Sequence, residues 1–511
     1  MVSRPRAPLG AGTHGGGLVG DDFWSGVGVD LHLEPDVAAG RRTGLERALR
    51  DAVRDGRLAP GTRLPPTRRL AAELGISRGT AKGAYDQLVA EGYLTARQGS
   101  GTEVAVLPGD AVSEAVGAPR ARAPRFDLRP GSPDVGTFPA AAWLRALRRA
   151  IATAPSLAYD YGDPRGRIEL RTALSGYLGR ARGVIAPPER IVITSGYVQG
   201  LALLTRVLDG GVVAMEDPGL PFHRDVVRRA GGTVVPLKVD ERGARAGELA
   251  SSPADAVVVT PAHQYPTGVT LHPERRRALT DWARARGGLI VEDDYDGEFR
   301  YDRQPVGALQ GMAPGQVAYL GTASKTLGPA LRLGWMVLPP HLVDAVADVK
   351  LHSDHHTESI GQLALAEMIT SHAYDRHVRA CRLRYRRRRD QLLDRLGARR
   401  SVRGIAAGLH ALVDVADEAE VLARAEEEGL AVGRLGEHWH ERGEGRPQGL
   451  VVGYGTPRER IYPEALEALG RVLDGHQGVS GRNQGVSGGS QGVSGRIQGV
   501  SGGSQLGRKE V

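Results

Sequence analysis

Apolar positions recur at helical spacing three times between residues 41 and 93. The first set is Leu45, Leu49 and Val53, preceded by Thr43 and Glu46 in capping-box spacing and closed near Gly56. The second runs from Arg68 to Leu74 with Leu70, Ala71 and Leu74 inward, and Gly75 ends it. Ser77 then supplies an N-cap for a third helix that buries Ala81, Tyr85, Leu88 and Val89. Two helices joined by a short Gly-containing turn read as a helix-turn-helix. Leu94–Ala96 and Glu103–Ala105 flank a Gly-rich tip and predict a hairpin, a wing whose glycines let backbone approach a phosphate.

The pattern changes between residues 130 and 474. Short apolar runs predict strands at Ile191–Thr194, Val212–Met215, Thr233–Leu237, Ala256–Thr260, Leu289–Val291, Ala318–Leu320 and Gly334–Leu338, with amphipathic stretches between them. Such alternation predicts an α/β unit with a mostly parallel, helix-covered sheet. Ligands of such sheets collect at the carboxyl ends of the strands. There this chain places SGYVQG, EDPG, PAHQYPTG, EDDYDGEF and GTASKTLGPALRLGW.

The remaining segments lack period. Residues 1–40 read as disordered, 106–129 as a linker, and 475–511 as a disordered Gly/Ser-rich tail with QGVSG repeated every seven residues. The expected order is therefore a winged helix-turn-helix at 41–105, the linker, and the α/β domain at 130–474.

Composition narrows the class. The 511 residues are 41% hydrophobic and 25% charged, and a single cysteine, Cys381, rules out an intramolecular disulfide and CxxC-type zinc sites. No metal site is expected. Neither a membrane-length apolar run nor a secretory leader is legible, so a cytoplasmic protein is expected. Residues 41–104 hold twelve basic against seven acidic side chains, whereas the α/β stretch is nearly neutral. A basic module ahead of a neutral one is the footprint of a phosphate-binding head on a domain with another task.

The segment GTRLPPTRRLAAELGISRGTAKGAYDQLVAEGYLTARQGSGTEV resembles the winged helix-turn-helix of GntR-type bacterial regulators. The resemblance implies double-stranded DNA as partner, with Arg68, Ser77, Arg78 and Lys82 as contacts and Gln98 at the wing tip. Ser77, Arg78 and Lys82 open the third helix, the part that enters a major groove. Pro66 stands where a capping Ser is more usual.

The strand-end segments of the α/β stretch, with Tyr161-Gly-Asp-Pro-Arg-Gly ahead of them, resemble the fold-type I, class I aminotransferase group of pyridoxal-phosphate enzymes. With the GntR-like head, the whole resembles the MocR-type regulators. The resemblance implies pyridoxal 5'-phosphate as cofactor. Lys325 would carry the Schiff base, Asp293 would pair with the pyridinium nitrogen, and Tyr295 would bond the phenolic oxygen. Arg332, Ser324 and the amides of Tyr197 and Val198 would hold the phosphate. Tyr161 would reach the phosphate of a partner subunit, which requires a homodimer.

Two departures stand out. Tyr265, expected among the cofactor-binding residues, occupies the asparagine position of Asn-Pro-Thr-Gly, and Val451 stands where relatives that bind amino acids carry an arginine for the α-carboxylate. The expectation is a DNA-binding regulator that senses pyridoxal phosphate, or a small amine or amino-acid effector, with at most weak transaminase activity. The alternative is a working aminotransferase with a vestigial DNA-binding head.

Overall fold

The computed structural model describes residues 40–97, 101–106, 123–301, 306–397, 400–441, 443 and 445–475. The expectations for residues 1–39, for Gln98, for most of the linker and for the repeat tail fall outside them. The chain divides into two compact units, Met1–Ala121 and Arg122–Val511.

The first unit holds α1 (Arg41–Arg54), α2 (Thr67–Glu73), α3 (Arg78–Ala90), β1 (Leu94–Arg97) and β2 (Gly101–Val104). Leu45, Leu49, Leu70, Ala81, Ala84, Tyr85, Leu88, Leu94 and Val104 form its core. Val89 is only partly buried at its edge. The strands pair antiparallel, Leu94 opposite Val104 and Arg97 opposite Gly101, as the wing requires.

The Thr43–Glu46 capping box does not form. Helix α1 already starts at Arg41 behind Gly40, without a side-chain cap, and Glu46 accepts from Arg42 Nε at 2.7 Å instead. A charge-assisted i,i+4 pair outbids the reach back to the N-terminus. Ser77 does cap α3, its Oγ accepting from the Thr80 amide at 3.0 Å. Helix α2 starts behind Pro66 with no side-chain cap, and the buried Tyr85 hydroxyl donates to Pro65 O at 3.0 Å beside that start.

In chain order the second unit contains β3 (Phe126–Leu128), α4 (Ala140–Thr153), α5 (Ile168–Arg182), β4 (Ile191–Thr194), α6 (Tyr197–Val207), β5 (Val212–Asp217) and α7 (Pro221–Arg229). There follow β6 (Thr233–Asp240), β7 (Gly243–Ala244), β8 (Ala256–Val259), α8 (Pro273–Arg286), β9 (Leu289–Asp294), β10 (Val317–Thr322) and β11 (Gly334–Val337). The C-terminal part adds α9 (Val343–Asp354), α10 (Ser359–Thr370), α11 (Ala373–Leu396), β12 (Val402–Arg403), β13 (Ala411–Asp414), α12 (Glu418–Glu427), β14 (Leu430–Arg434), β15 (Gly449–Val452) and α13 (Tyr462–Asp474).

Eight strands form the main sheet in the order β4-β11-β10-β9-β8-β5-β6-β7. The run from β10 through β6 is parallel, while β11 pairs antiparallel with both its neighbours. Alternate residues feed two cores. Ile191, Ile193, Tyr319, Trp335 and Val337 pack with α5 and α10 residues, and Val192, Ala318, Leu320 and Met336 pack with Leu201 and Leu204 of α6 and Val346 of α9. Burial on both faces makes these strands read as unbroken apolar runs. Five further strands, β12-β13-β15-β14-β3, form a second sheet that the sequence pattern did not reveal. In it β3 pairs parallel with β14, Phe126 opposite Leu430.

Candidate functional site

A cavity of about 360 Å³ opens at the carboxyl ends of β5, β8, β9 and β10. Its walls include Tyr197, Val198, Tyr265, Asp293, Tyr295, Ser324, Lys325 and Arg332, so eight of the expected cofactor-binding residues line one space. Tyr161 is not among them. It lies 79% exposed, its ring stacked on His355 at 4.7 Å.

One end of the cavity is built to take an anion. Helix α6 begins behind Gly196, which holds φ 100°, so the Tyr197 and Val198 amides lie in its first turn, where no intrahelical acceptor exists. The Arg332 guanidinium lies over this turn; a Cβ on Gly196 would meet Arg332 Nη2 at 3.1 Å. No side-chain partner is recorded for that guanidinium among the described residues. Ser324 Oγ, beside it in the lining, accepts from Thr322 Oγ1 at 2.8 Å.

The other groups suit an aromatic cation and an aldehyde. Asp293 is buried at the end of β9, and its Oδ1 has no hydrogen-bond partner among the described residues. Burial, reinforced by Asp294, pushes its carboxyl well above the usual carboxylate range. A buried orphan acceptor of this kind costs free energy until a donor meets it, and a pyridinium N–H is such a donor. The Lys325 amine donates to Gly131 O. Burial lowers its pKa, which favours the neutral, nucleophilic form. The Tyr295 hydroxyl donates to His263 O at 3.1 Å. His263 Nδ1 in turn lies 2.8 Å from Asp296 Oδ2.

Several lining residues escaped the sequence reading. His223 stacks on Tyr197 at 4.5 Å, and burial, with the Lys325 charge, lowers its pKa to about 3. His410 follows Leu409 in the opposite wall. Gly408, at φ 75°, lets this turn pass His263: a Cβ there would lie 2.1 Å from the imidazole Cε1. The signals were present as a histidine four residues after EDPG and another after Gly408-Leu409, but only the fold joins them.

Glu216 is the third such group. Burial raises its pKa to about 7, against hydrogen bonds from Thr260 Oγ1 at 2.5 Å and Gln264 Nε2 at 3.2 Å. A raised folded pKa means that the native state holds more protons than the unfolded chain between about pH 4.5 and 7. Stability is thus lost as pH rises through that window, by up to about 1.4 kcal/mol per pH unit for one group. Glu216→Gln removes this loss. In cofactor-free protein, the urea midpoint of Glu216→Gln should gain on wild type between pH 5 and pH 8. A constant difference would show that Glu216 ionises normally.

In the first unit Arg68, Ser77, Arg78 and Lys82 are all exposed. Arg68 and Arg78 have no side-chain partner recorded among the described residues. Lys82 meets Asp86 at 2.7 Å in an exposed pair, which is worth little and is easily exchanged for a phosphate. The Ser77 hydroxyl is engaged in capping α3.

A winged helix-turn-helix and a separate α/β unit with this lysine-centred cavity define a two-module regulator. Residues 42–104 match the family of bacterial regulatory proteins, gntR family, and residues 126–437 match aminotransferase class I and II. The chain belongs to the MocR-type transcriptional regulators, which join a GntR helix-turn-helix to a fold-type I aminotransferase domain. It is 34% identical over 440 residues to the HTH-type pyridoxine biosynthesis transcriptional regulator PdxR of Corynebacterium glutamicum, covering 84% of this chain and 95% of that one. It is 36% identical over 381 residues to the probable rhizopine catabolism regulatory protein MocR of Rhizobium meliloti, covering 70% and 77%. Among solved structures, kynurenine aminotransferase of Pyrococcus horikoshii matches with TM-score 0.62 at 26% identity, over 69% of this chain and 91% of that one. Aspartate aminotransferase of Thermus thermophilus matches with TM-score 0.60 at 26% identity, over 69% and 92%. The cofactor of this fold is pyridoxal phosphate, and the orphan Asp293 acceptor, the Lys325 amine and the anion-ready α6 turn fit its three polar ends. No helix among the described residues is long and apolar enough to cross a membrane.

Proposed function

We propose that the winged helix-turn-helix reads an operator while the aminotransferase-like cavity holds pyridoxal phosphate on Lys325 and reports its state, or that of an amine or amino-acid effector, to the DNA-binding head. The observation that carries this reading is the convergence of Lys325, Asp293, Tyr295 and Arg332 on one cavity in a chain whose α3 exposes Arg78 and Lys82. Bound there, the cofactor supplies an aldehyde for amines and a ring that withdraws electrons. The chain supplies the rest. Lys325 provides the neutral amine, Asp293 accepts a hydrogen bond from the ring nitrogen, and the first turn of α6 with Ser324 and Arg332 holds the phosphate. Tyr295, whose hydroxyl bonds to His263, would bond the phenolic oxygen, and Tyr265 lines the same space.

A homodimer in the cytoplasm follows from the same reading. Leu144, Ile151, Leu157, Tyr159 and Tyr161 leave an apolar stretch of one short segment facing solvent, which a second copy would cover. Tyr161 would then serve the partner's phosphate site.

Turnover of amino acids is disfavoured. Val451 is fully buried in a cluster with Leu412, Leu435, Tyr265 and Trp439, so an apolar side chain stands at the sequence position where relatives carry the arginine that grips a carboxylate. Transamination should fall well below a kcat/KM of about 10⁴ M⁻¹s⁻¹, and a value above that would favour the enzyme reading.

The DNA half is tested by titrating the region upstream of the protein's own gene. Arg78→Ala should cost about 1–3 kcal/mol and relax specificity at one operator position. Lys82→Ala should weaken binding to all sequences alike and flatten the salt dependence. Affinities unchanged in both variants would remove α3 from the interface.

A further inference from the structure

Tyr161 is exposed, and the one hydrogen bond it makes among the described residues runs from its amide to Asp160 Oδ1 at 2.8 Å. An exposed ring of this kind ordinarily samples several rotamers, and ordering it on binding costs affinity. Here the ring is already held. The His355 imidazole stacks on it with ring centres 4.7 Å apart, and His356 meets it edge-on at 6.4 Å. The two imidazoles are tied to each other, Nδ1 to Nδ1 at 3.2 Å, one nitrogen donating and the other accepting.

The backbone that carries His355 is strained. Behind α9 the chain reverses on His355 at φ 64° and ψ −65°, and the His356 amide donates to Asp354 O at 2.8 Å. This is the γ-turn of the rare hand, which a residue other than glycine keeps only where its surroundings impose it. They impose it from both sides. Asp354 accepts from Lys350 Nζ at 2.8 Å and from Gln199 Nε2 at 2.6 Å, and Gln199 Oε1 accepts from the Ser195 amide at 2.7 Å. On the other side the buried Thr357 hydroxyl donates to Ile193 O at 3.3 Å. The turn is thus pinned to β4 and to the entry of α6, and it presents the His355 ring to Tyr161. Among the described residues, the hydrogen bonds and ring contacts of that imidazole are with Tyr161 and His356 alone.

We propose that His355 is a positioning residue, holding Tyr161 in the orientation from which the tyrosine reaches the cofactor phosphate of the partner subunit. The inference rests on the homodimer reading above and adds the residue that prepares Tyr161 for its role. Its contribution is preorganisation, not a new contact with the phosphate: the stack orders the tyrosine ring before the cofactor arrives.

The test compares pyridoxal phosphate with pyridoxal, which lacks the phosphate, in absorbance titrations of the full-length protein. Tyr161→Phe keeps the stack and loses the hydroxyl, so it should weaken pyridoxal phosphate by about tenfold or more and leave pyridoxal unchanged. His355→Gly removes the ring and relieves the turn. It should weaken pyridoxal phosphate about fivefold, the worth of one aromatic stack, again without effect on pyridoxal. Its urea midpoint in cofactor-free protein should hold or rise, because glycine adopts this turn without strain. His355→Phe, which keeps a ring to stack, should recover most of the affinity. In a Tyr161→Phe background, His355→Gly should change the affinity for neither ligand, since the two residues act as one unit. Equal losses for the two ligands, a urea midpoint that falls with the affinity, or a loss that persists in the Tyr161→Phe background overturns the proposal. So does an unchanged affinity in His355→Gly, or a His355→Gly protein that sediments as a monomer where wild type is a dimer, because the ring would then hold the interface and not the tyrosine. A monomeric wild type, or a Tyr161→Phe protein that binds pyridoxal phosphate as wild type does, instead strikes the homodimer reading itself, and the proposal falls with it.

Discussion

Lys325→Ala is expected to abolish the visible absorbance of the cofactor-loaded protein and the covalent adduct that borohydride fixes in wild type. The cause is local. Burial favours the neutral amine of Lys325, and that amine shares the cavity with the orphan carboxylate oxygen of Asp293. Lys350, buried as well, is held by Asp354 at 2.8 Å and does not line the cavity, so it offers no substitute nucleophile. Peptide mapping after reduction should return one modified peptide, the one containing Lys325. An adduct that persists in Lys325→Ala, or that maps elsewhere, would overturn the cofactor assignment.

Arg182→Ala should strongly destabilise the second unit, costing about 3–5 kcal/mol. Arg182 Nε and Nη2 reach Asp294 Oδ2 and Oδ1 at 2.6 and 3.0 Å, and both side chains are almost wholly buried. Tyr319 donates to the same carboxylate at 2.7 Å. Truncating the arginine leaves Asp294 charged and unpaired in the interior, next in sequence to Asp293, whose own carboxyl the Asp294 charge already disturbs. The loss should appear as a lowered urea midpoint for the second unit, with cofactor affinity falling too. Joint replacement of Arg182 and Asp294 by apolar residues should recover much of the stability, because it is the unpaired charge that is costly. A shift below about 1 kcal/mol in Arg182→Ala would mean that the pair is hydrated in solution.

What could be read from the sequence divides by how local its cause is. Strand β4 lies at the predicted residues because Ile191–Thr194 is a short, fully buried run bounded by polar segments. The other main strands appear where expected but several extend further, β9 to Asp294 and β5 to Asp217, since parallel pairing carries the ladder into the polar strand ends that build the cavity. Strand β3 was not legible: three residues at 126–128 acquire their pairing only from β14, some three hundred positions later. The site divides in the same way. Lys325 and Arg332 stand in one motif, GTASKTLGPALRLG, and the motif could be read. His263, Asp296 and His410 come from three distant stretches, and no spacing announces that their ligand atoms lie within 4.8 Å of one another. The Thr43–Glu46 capping box failed because its rule weighs only the backbone, whereas Arg42 competes for the same carboxylate.

The central claim is that one chain couples the cavity to the operator, and coupling is reciprocal. If the cofactor favours one state of the protein, it shifts operator affinity by the same factor by which operator DNA shifts cofactor affinity. The most direct measurement is operator titration of wild type and Lys325→Ala, each with and without pyridoxal phosphate. Wild-type affinity should change on adding the cofactor and the variant's response should be lost or much reduced, although Lys325 belongs to a different unit from α3, the helix proposed to contact DNA. Four superimposable curves would contradict it.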